Sequence, residues 1–154
     1  MEKTLVFDMD GTIANLYGVE GWLEALRAED ATPYAVAEPM YNMDILTTIL
    51  KYFQIMGWKI AVTTWLAKDA SDGYNKEVEA VKRAWLAKYN FPVDIFTAQV
   101  YGTDKEEATK KIGGYQVLVD DNADVRKGWT LGKTINANND IIKELVSLLD
   151  IARA

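Results

Sequence analysis

Short apolar runs alternate with amphipathic segments along this chain, and the alternation predicts its architecture. Thr4-Leu-Val-Phe-Asp8 is too short for a helix and reads as a buried strand. Trp58–Thr64, Val93–Thr97, Tyr115–Asp120 and Lys133–Asn136 read as four more strands. Between them, Ile45, Leu46, Ile49, Leu50, Phe53 and Met56 recur with the 3.6-residue period of a helix over Asp44–Met56, with Gly57 in its C′ position. Val78, Val81, Trp85 and Tyr89 do the same for Glu77–Tyr89, and Ile141, Ile142, Leu145, Leu148 and Leu149 for Asn139–Ala152. A short helix is expected over Val19–Ala28, a loop from Asp30 to Pro39 with Pro33 and Pro39 as breakers, and a polar loop over 68–75. Strands separated by helices imply right-handed crossovers and a parallel sheet. The expected fold is therefore α/β and Rossmann-like, one domain over 1–154 with a small cap inserted at about 13–43.

Ligands of such sheets bind beyond the strand C-termini, and the polar residues of this chain gather there. The first strand ends in Asp8-Met-Asp10-Gly11-Thr12. Side chains two apart on a strand point the same way, so Asp8 and Asp10 emerge together. Two crowded carboxylates repel, and a divalent cation that favours hard oxygen ligands, Mg²⁺, can hold them. Gly11 permits a sharp turn and a close approach to a ligand. The second strand ends in the hydroxyl pair Thr63-Thr64, either of which can donate to an anion. Gly102-Thr-Asp-Lys105 leads into a helix with Thr103 or Asp104 as cap, and Lys105, Lys110 and Lys111 are the lysines at its start and along it. The strand Tyr115–Asp120 again ends in acids, Asp120-Asp121, and Asp124 reads as the N-cap of a helix near Val125–Lys127. Tyr17, nearest the first acids, is a candidate for stacking on substrate, whereas Trp22 is expected to pack the cap onto the core.

Composition narrows the chemistry. The chain has no cysteine and no histidine, which excludes thiolate or imidazole metal sites, a Ser-His-Asp triad and imidazole acid–base catalysis. Proton transfer falls to Asp, Glu, Lys, Tyr or water. The net charge of −6 disfavours polymeric nucleic acid and anionic membrane surfaces as partners, and leaves room for a small anionic substrate met by a metal and a few lysines. The apolar run after Met1-Glu2-Lys3 is too short for a signal peptide or a membrane span, so a cytoplasmic protein is expected.

In this order, the Asp8-Met-Asp10-Gly11-Thr12 string, Thr63, Lys105 and Asp120-Asp121 resemble the four motifs of the haloacid dehalogenase (HAD) superfamily. The resemblance implies one Mg²⁺ on Asp8, the Asp10 backbone carbonyl and Asp120, with Asp121 bound directly or through water. It implies Asp8 as nucleophile, Asp10 as general acid and base, and a small phosphorylated substrate bound by Gly11, Thr63, Thr64 and Lys105. Within the superfamily the chain looks most like the 5′(3′)-deoxyribonucleotidase branch, in which Lys82 fills the role of a second phosphate-binding lysine and a nucleoside monophosphate is the substrate. The chain departs from that branch in having Asn15-Leu16 where an acid–aromatic pair is usual and Trp65 where a Pro is common, so stacking on a base falls to Tyr17 or Trp65. Two other readings are a phosphatase of a nucleic-acid end or a phosphoprotein, and a non-catalytic binding protein that keeps the fold.

Overall fold

The structure, a computed structural model, describes residues 1–153. In chain order its elements are β1 (Lys3–Phe7), the short β2 (Ala14–Asn15), α1 (Trp22–Arg27), α2 (Thr32–Val36), the short β3 (Glu38–Pro39), α3 (Met43–Ile55), β4 (Lys59–Leu66), α4 (Asp72–Lys88), β5 (Ile95–Val100), α5 (Lys105–Thr109), β6 (Tyr115–Asp120), α6 (Ala123–Lys127), β7 (Thr134–Asn136) and α7 (Ile141–Arg153). Five strands form one sheet in the order β5-β4-β1-β6-β7, every pairing parallel. This is the Rossmann-like α/β fold that the strand–helix alternation predicts.

Both faces of the sheet are covered, which explains why its central strands are apolar throughout. On one face Leu5, Phe7, Ile60, Val62, Val117 and Val119 meet α3, α4 and α7 in the larger core. On the other, Val6, Ala61 and Leu118 meet Trp129 and the α5–α6 side. The chain goes from β1 to β4 to β5 on one side, then crosses to β6 and β7, so the direction of winding reverses beside β1. That reversal opens a crevice at the C-terminal ends of β1, β4 and β6.

The segment between β1 and α3 lies over this crevice and carries more structure than its prolines suggest. The expected loop from Asp30 to Pro39 contains α2 and β3. Pro33 stands in the first turn of α2, where its missing N–H has no helical acceptor to lose. Asp30 accepts from the N–H and hydroxyl of Thr32 and fixes the helix entry. β3 pairs antiparallel with β2, joining the two ends of the segment. A separate small cluster of Leu16, Ala31, Tyr34, Tyr74 and Val78 seats the segment on α4.

Other boundaries move for local reasons. The helix expected over Val19–Ala28 is shorter, with a 3-10 turn at Leu16–Gly18 before it. α4 starts at Asp72, because the Ser71 hydroxyl accepts from the Tyr74 N–H and caps it, which absorbs much of the expected polar loop. Ile45 is 49% exposed, off the buried stripe of Met43, Leu46, Leu50 and Phe53. α6 is capped by Asn122, not Asp124, which is an exposed residue of its first turn. β4 continues two residues past Thr64, and this lengthening reshapes the site. Among the described residues no helix is long and apolar enough to cross a membrane.

Candidate active site

Asp8 follows the last residue of β1, and its N–H donates to the Val119 carbonyl at 2.9 Å, pinning it beside β6. One carboxylate oxygen, Oδ1, accepts from Lys105 Nζ at 2.8 Å, and the other accepts from the Thr12 hydroxyl at 3.0 Å. Asp120, the last residue of β6, also accepts from Lys105 Nζ, at 2.9 Å, and from the Asn122 N–H at 2.9 Å. Lys105 is the first residue of α5, capped by Asp104, and is 3% exposed. Its ammonium lies 4.7 Å from the centre of the Trp65 ring. Lys110 and Lys111 are exposed, Lys110 facing Glu107, so of the three lysines it is Lys105 that reaches the carboxylates.

Asp121 completes a cluster in which Asp8, Asp120 and Asp121 each bring an oxygen within 4.8 Å of the others. Gly11 makes this approach possible. Its φ is +81°, and a Cβ there would lie 2.5 Å from Asp121 Oδ2 and 2.9 Å from the Tyr17 ring. Its N–H donates to the Ala14 carbonyl, so Gly11 supplies space and not the phosphate donor expected of it.

The hydroxyl pair also sits differently from expectation. Because β4 runs on to Leu66, Thr63 and Thr64 lie inside the strand, paired in register with Thr97 and Ala98 of β5. Both are fully buried. Thr63 accepts from the Thr97 hydroxyl and the Gln99 amide, and Thr64 accepts from Lys82 Nζ. The next four residues, Trp65 to Lys68, line the cavity in their place. Lys82 points inward from α4 to Asp10 Oδ2 at 2.8 Å, and the Asp10 side chain remains 16% exposed.

These groups form the floor of a cavity of about 360 Å³. Its walls are largely apolar and aromatic. Tyr17 and Trp22 meet edge to face at 5.0 Å on one side, and Trp65 and Tyr101 at 4.8 Å on another. Leu16, Leu26 and Tyr34 extend the lining. Trp22 thus lines the cavity and packs against the small cluster of Leu16, Tyr34 and Tyr74, and not against the larger core as expected. Thr12, Tyr34, Tyr101 and Asn122 are the site residues that no sequence signal assigned. Thr12 was within the first motif, and Tyr101-Gly102 follows a strand end, but Tyr34 falls in a stretch that reads as a loop.

The electrostatics describe a floor short of positive charge. Burial, a hydrogen bond to Asp8 and the charges of Asp8 and Asp120 push the Asp121 carboxyl up to about 7. Burial and the Asp8 charge raise Asp120 against the pull of Lys105. Burial raises Asp10 despite Lys82. Burial pulls Lys105 down, but Asp8 and Asp120 outweigh it and hold the ammonium charged. Within the Asp8–Asp120–Asp121 cluster three acids face the single ammonium of Lys105, and every ligand atom they offer is a hard oxygen. That donor set fits Mg²⁺.

No family model matches the chain, and no curated protein matches it. Solved structures do. The D,D-heptose 1,7-bisphosphate phosphatase from Burkholderia thailandensis superposes with a TM-score of 0.56 at 9% identity, over 96% of this chain and 99% of that one. A chain of the Pnkp1/Rnl/Hen1 RNA repair complex superposes with a TM-score of 0.56 at 19% identity, over 88% of this chain. The present chain spans 43% of that partner's length. The likeness is one of fold.

The raised carboxyls predict how the metal-free protein responds to pH. Asp121 keeps a proton in the folded state that the unfolded chain has released, from about 4 up to about 7. Folding stability is therefore expected to fall as pH rises through that window, with Asp10 and Asp120 acting in the same direction. No histidine titrates there to mask the effect. Urea midpoints in EDTA should be higher at pH 5.5 than at pH 8, and saturating Mg²⁺ should remove the difference. A midpoint that rises with pH in EDTA would refute it.

Proposed function

We propose that this chain is a Mg²⁺-dependent phosphomonoester hydrolase of the HAD type. The reading rests above all on one observation, the Asp8–Lys105–Asp120–Asp121 constellation at the C-terminal edge of a parallel sheet with Asp10 beside it. The fold likeness to a bisphosphate phosphatase supports it.

Asp8 attacks phosphorus in line with the ester oxygen. A bond forms from its carboxylate to phosphorus as the P–O ester bond breaks. Asp10 gives its proton to the departing oxygen, then takes one from the water that attacks the same phosphorus, releasing phosphate and restoring Asp8. Thr12 and Lys105 hold Asp8 with its oxygens fixed, and Lys105 offsets charge on the transferred group. Asp8, Asp120 and Asp121 would hold Mg²⁺, which when bound polarises the phosphoryl oxygens and neutralises the acids.

For substrate we infer a nucleoside monophosphate. A flat base suits walls built from Tyr17–Trp22 and Trp65–Tyr101, which offer π faces and few polar partners. The end of a polynucleotide is the second reading, suggested by the RNA repair complex and opposed by the net charge of −6. The test is phosphate release from nucleoside 5′- and 3′-monophosphates, sugar phosphates, an aryl phosphate and a 3′-phosphorylated oligonucleotide, each with Mg²⁺ and with EDTA. Mg²⁺-dependent release highest on mononucleotides is expected. A preference for the oligonucleotide would favour the second reading, and no release from any ester would overturn the hydrolase.

A further inference from the structure

Building on that phosphoryl chemistry, we infer that Lys82 is a positioning residue which commits one oxygen of Asp10 and so fixes the other as the oxygen that exchanges the proton. Lys82 stands in the middle of α4 with no exposed surface, so each of its ammonium N–H groups needs a protein acceptor. An ammonium has three N–H donors. All three are used: by Asp10 Oδ2 at 2.8 Å, Thr64 Oγ1 at 2.8 Å and the Trp65 carbonyl at 2.9 Å. The Tyr34 ring, 5.0 Å away, flanks the same ammonium. No donor is left over for a phosphoryl oxygen, so the second phosphate-binding role drawn from the family resemblance does not suit this geometry.

The donors instead define the acid. Oδ2 of Asp10 accepts from a cation, which makes it the less basic of the two carboxyl oxygens. The transferable proton of Asp10 then belongs to Oδ1, and Asp10 lines the cavity. The same ammonium ties the Trp65 carbonyl, and the Trp65 indole donates to the Thr103 carbonyl at 2.9 Å. One lysine thus registers the proton donor against an aromatic wall of the cavity. The extension of β4 past Thr64 is what brings a hydroxyl and a carbonyl to it.

The experiment compares wild type with Lys82→Met and Lys82→Gln under single-turnover conditions with Mg²⁺. It uses two esters, an alkyl phosphate whose alkoxide must be protonated as it leaves, and p-nitrophenyl phosphate, whose phenolate leaves unaided. Losing an oriented acid should slow the first step on the alkyl ester about 100-fold. The rate of p-nitrophenolate release should fall less than about 10-fold, and inhibition by inorganic phosphate should keep its constant, because ground-state phosphate contacts are untouched. Lys82→Gln keeps a neutral donor in place, should lose less than Lys82→Met, and carries the test if the Met variant does not fold. Equal losses on both esters with weakened phosphate inhibition would overturn the inference and make Lys82 a phosphate ligand. Wild-type inactivity on both esters would overturn the hydrolase reading and this inference with it.

Discussion

Replacing Asp8 by Asn is expected to lower turnover by at least about 10⁴-fold, the scale on which loss of a nucleophile is felt. Asn matches Asp in shape, and its amide oxygen can still accept from Lys105 or Thr12, which hold the two oxygens of Asp8 at 2.8 and 3.0 Å. What it lacks is a carboxylate to form the bond to phosphorus. The variant should fold. Asp8 is one of three clustered carboxylates, so removing its charge relieves repulsion on Asp120 and Asp121. Its melting temperature in EDTA should therefore equal or exceed that of wild type. Steady-state phosphate release and thermal melts of the same preparation check both halves. Turnover within tenfold of wild type would end the covalent mechanism, whatever the melt shows.

Lys105→Met should damage stability and turnover together, and Mg²⁺ should separate the two effects. The side chains of Lys105, Asp8 and Asp120 are 2%, 9% and 1% exposed, so the methionine would leave buried carboxylates without their cation. Breaking a buried pair by removing one partner costs about 3–5 kcal/mol. That loss is expected in EDTA by urea denaturation. It should be larger at pH 8 than at pH 5.5, where the acids can take up protons instead. Saturating Mg²⁺ should recover much of the stability by supplying positive charge to the same oxygens. It should not recover turnover, which is expected to stay about 10²–10³-fold down because the ammonium no longer meets the charge developing on the transferred group. An unchanged urea midpoint in EDTA would show that the Lys105 pairs are not formed in solution.

The sheet and the acids were legible because each is signalled locally. A buried parallel strand is an unbroken apolar run, and Asp8 and Asp120 are the polar residues that end two such runs. Lys105 could be preferred over Lys110 and Lys111 only because its place, where a loop opens a helix, matches the order of the motifs that the chain resembles. The hydroxyl pair lies deeper in β4 than its sequence predicts, for a physical reason. Trp65 and Leu66 are as compatible with a strand as with its end, and only pairing with Gln99 and Val100 of β5 carries β4 past the threonines. Asp124 and Asn122 are both capable caps, and the choice is made by where the chain leaves β6. The cavity wall was least legible. Tyr17 and Tyr34 come from the segment between β1 and α3, and Trp65 and Tyr101 from the paired ends of β4 and β5, with no common period, and the two halves meet only when that segment docks on α4.

That docking has a thermodynamic consequence of its own. The floor of the cavity hangs from the large core under the sheet, whereas Tyr34 and the structure around it hang from a small, separate cluster that includes Leu16, Tyr74 and Val78. Two packing units of unequal size open at unequal free energies. Backbone amides of residues 16–36 should exchange with solvent through a local opening that leaves β1, β4 and β6 protected. A ligand that touches both units closes that difference, so the protection it adds should concentrate in the small unit, and part of its binding energy is consumed in holding that unit shut.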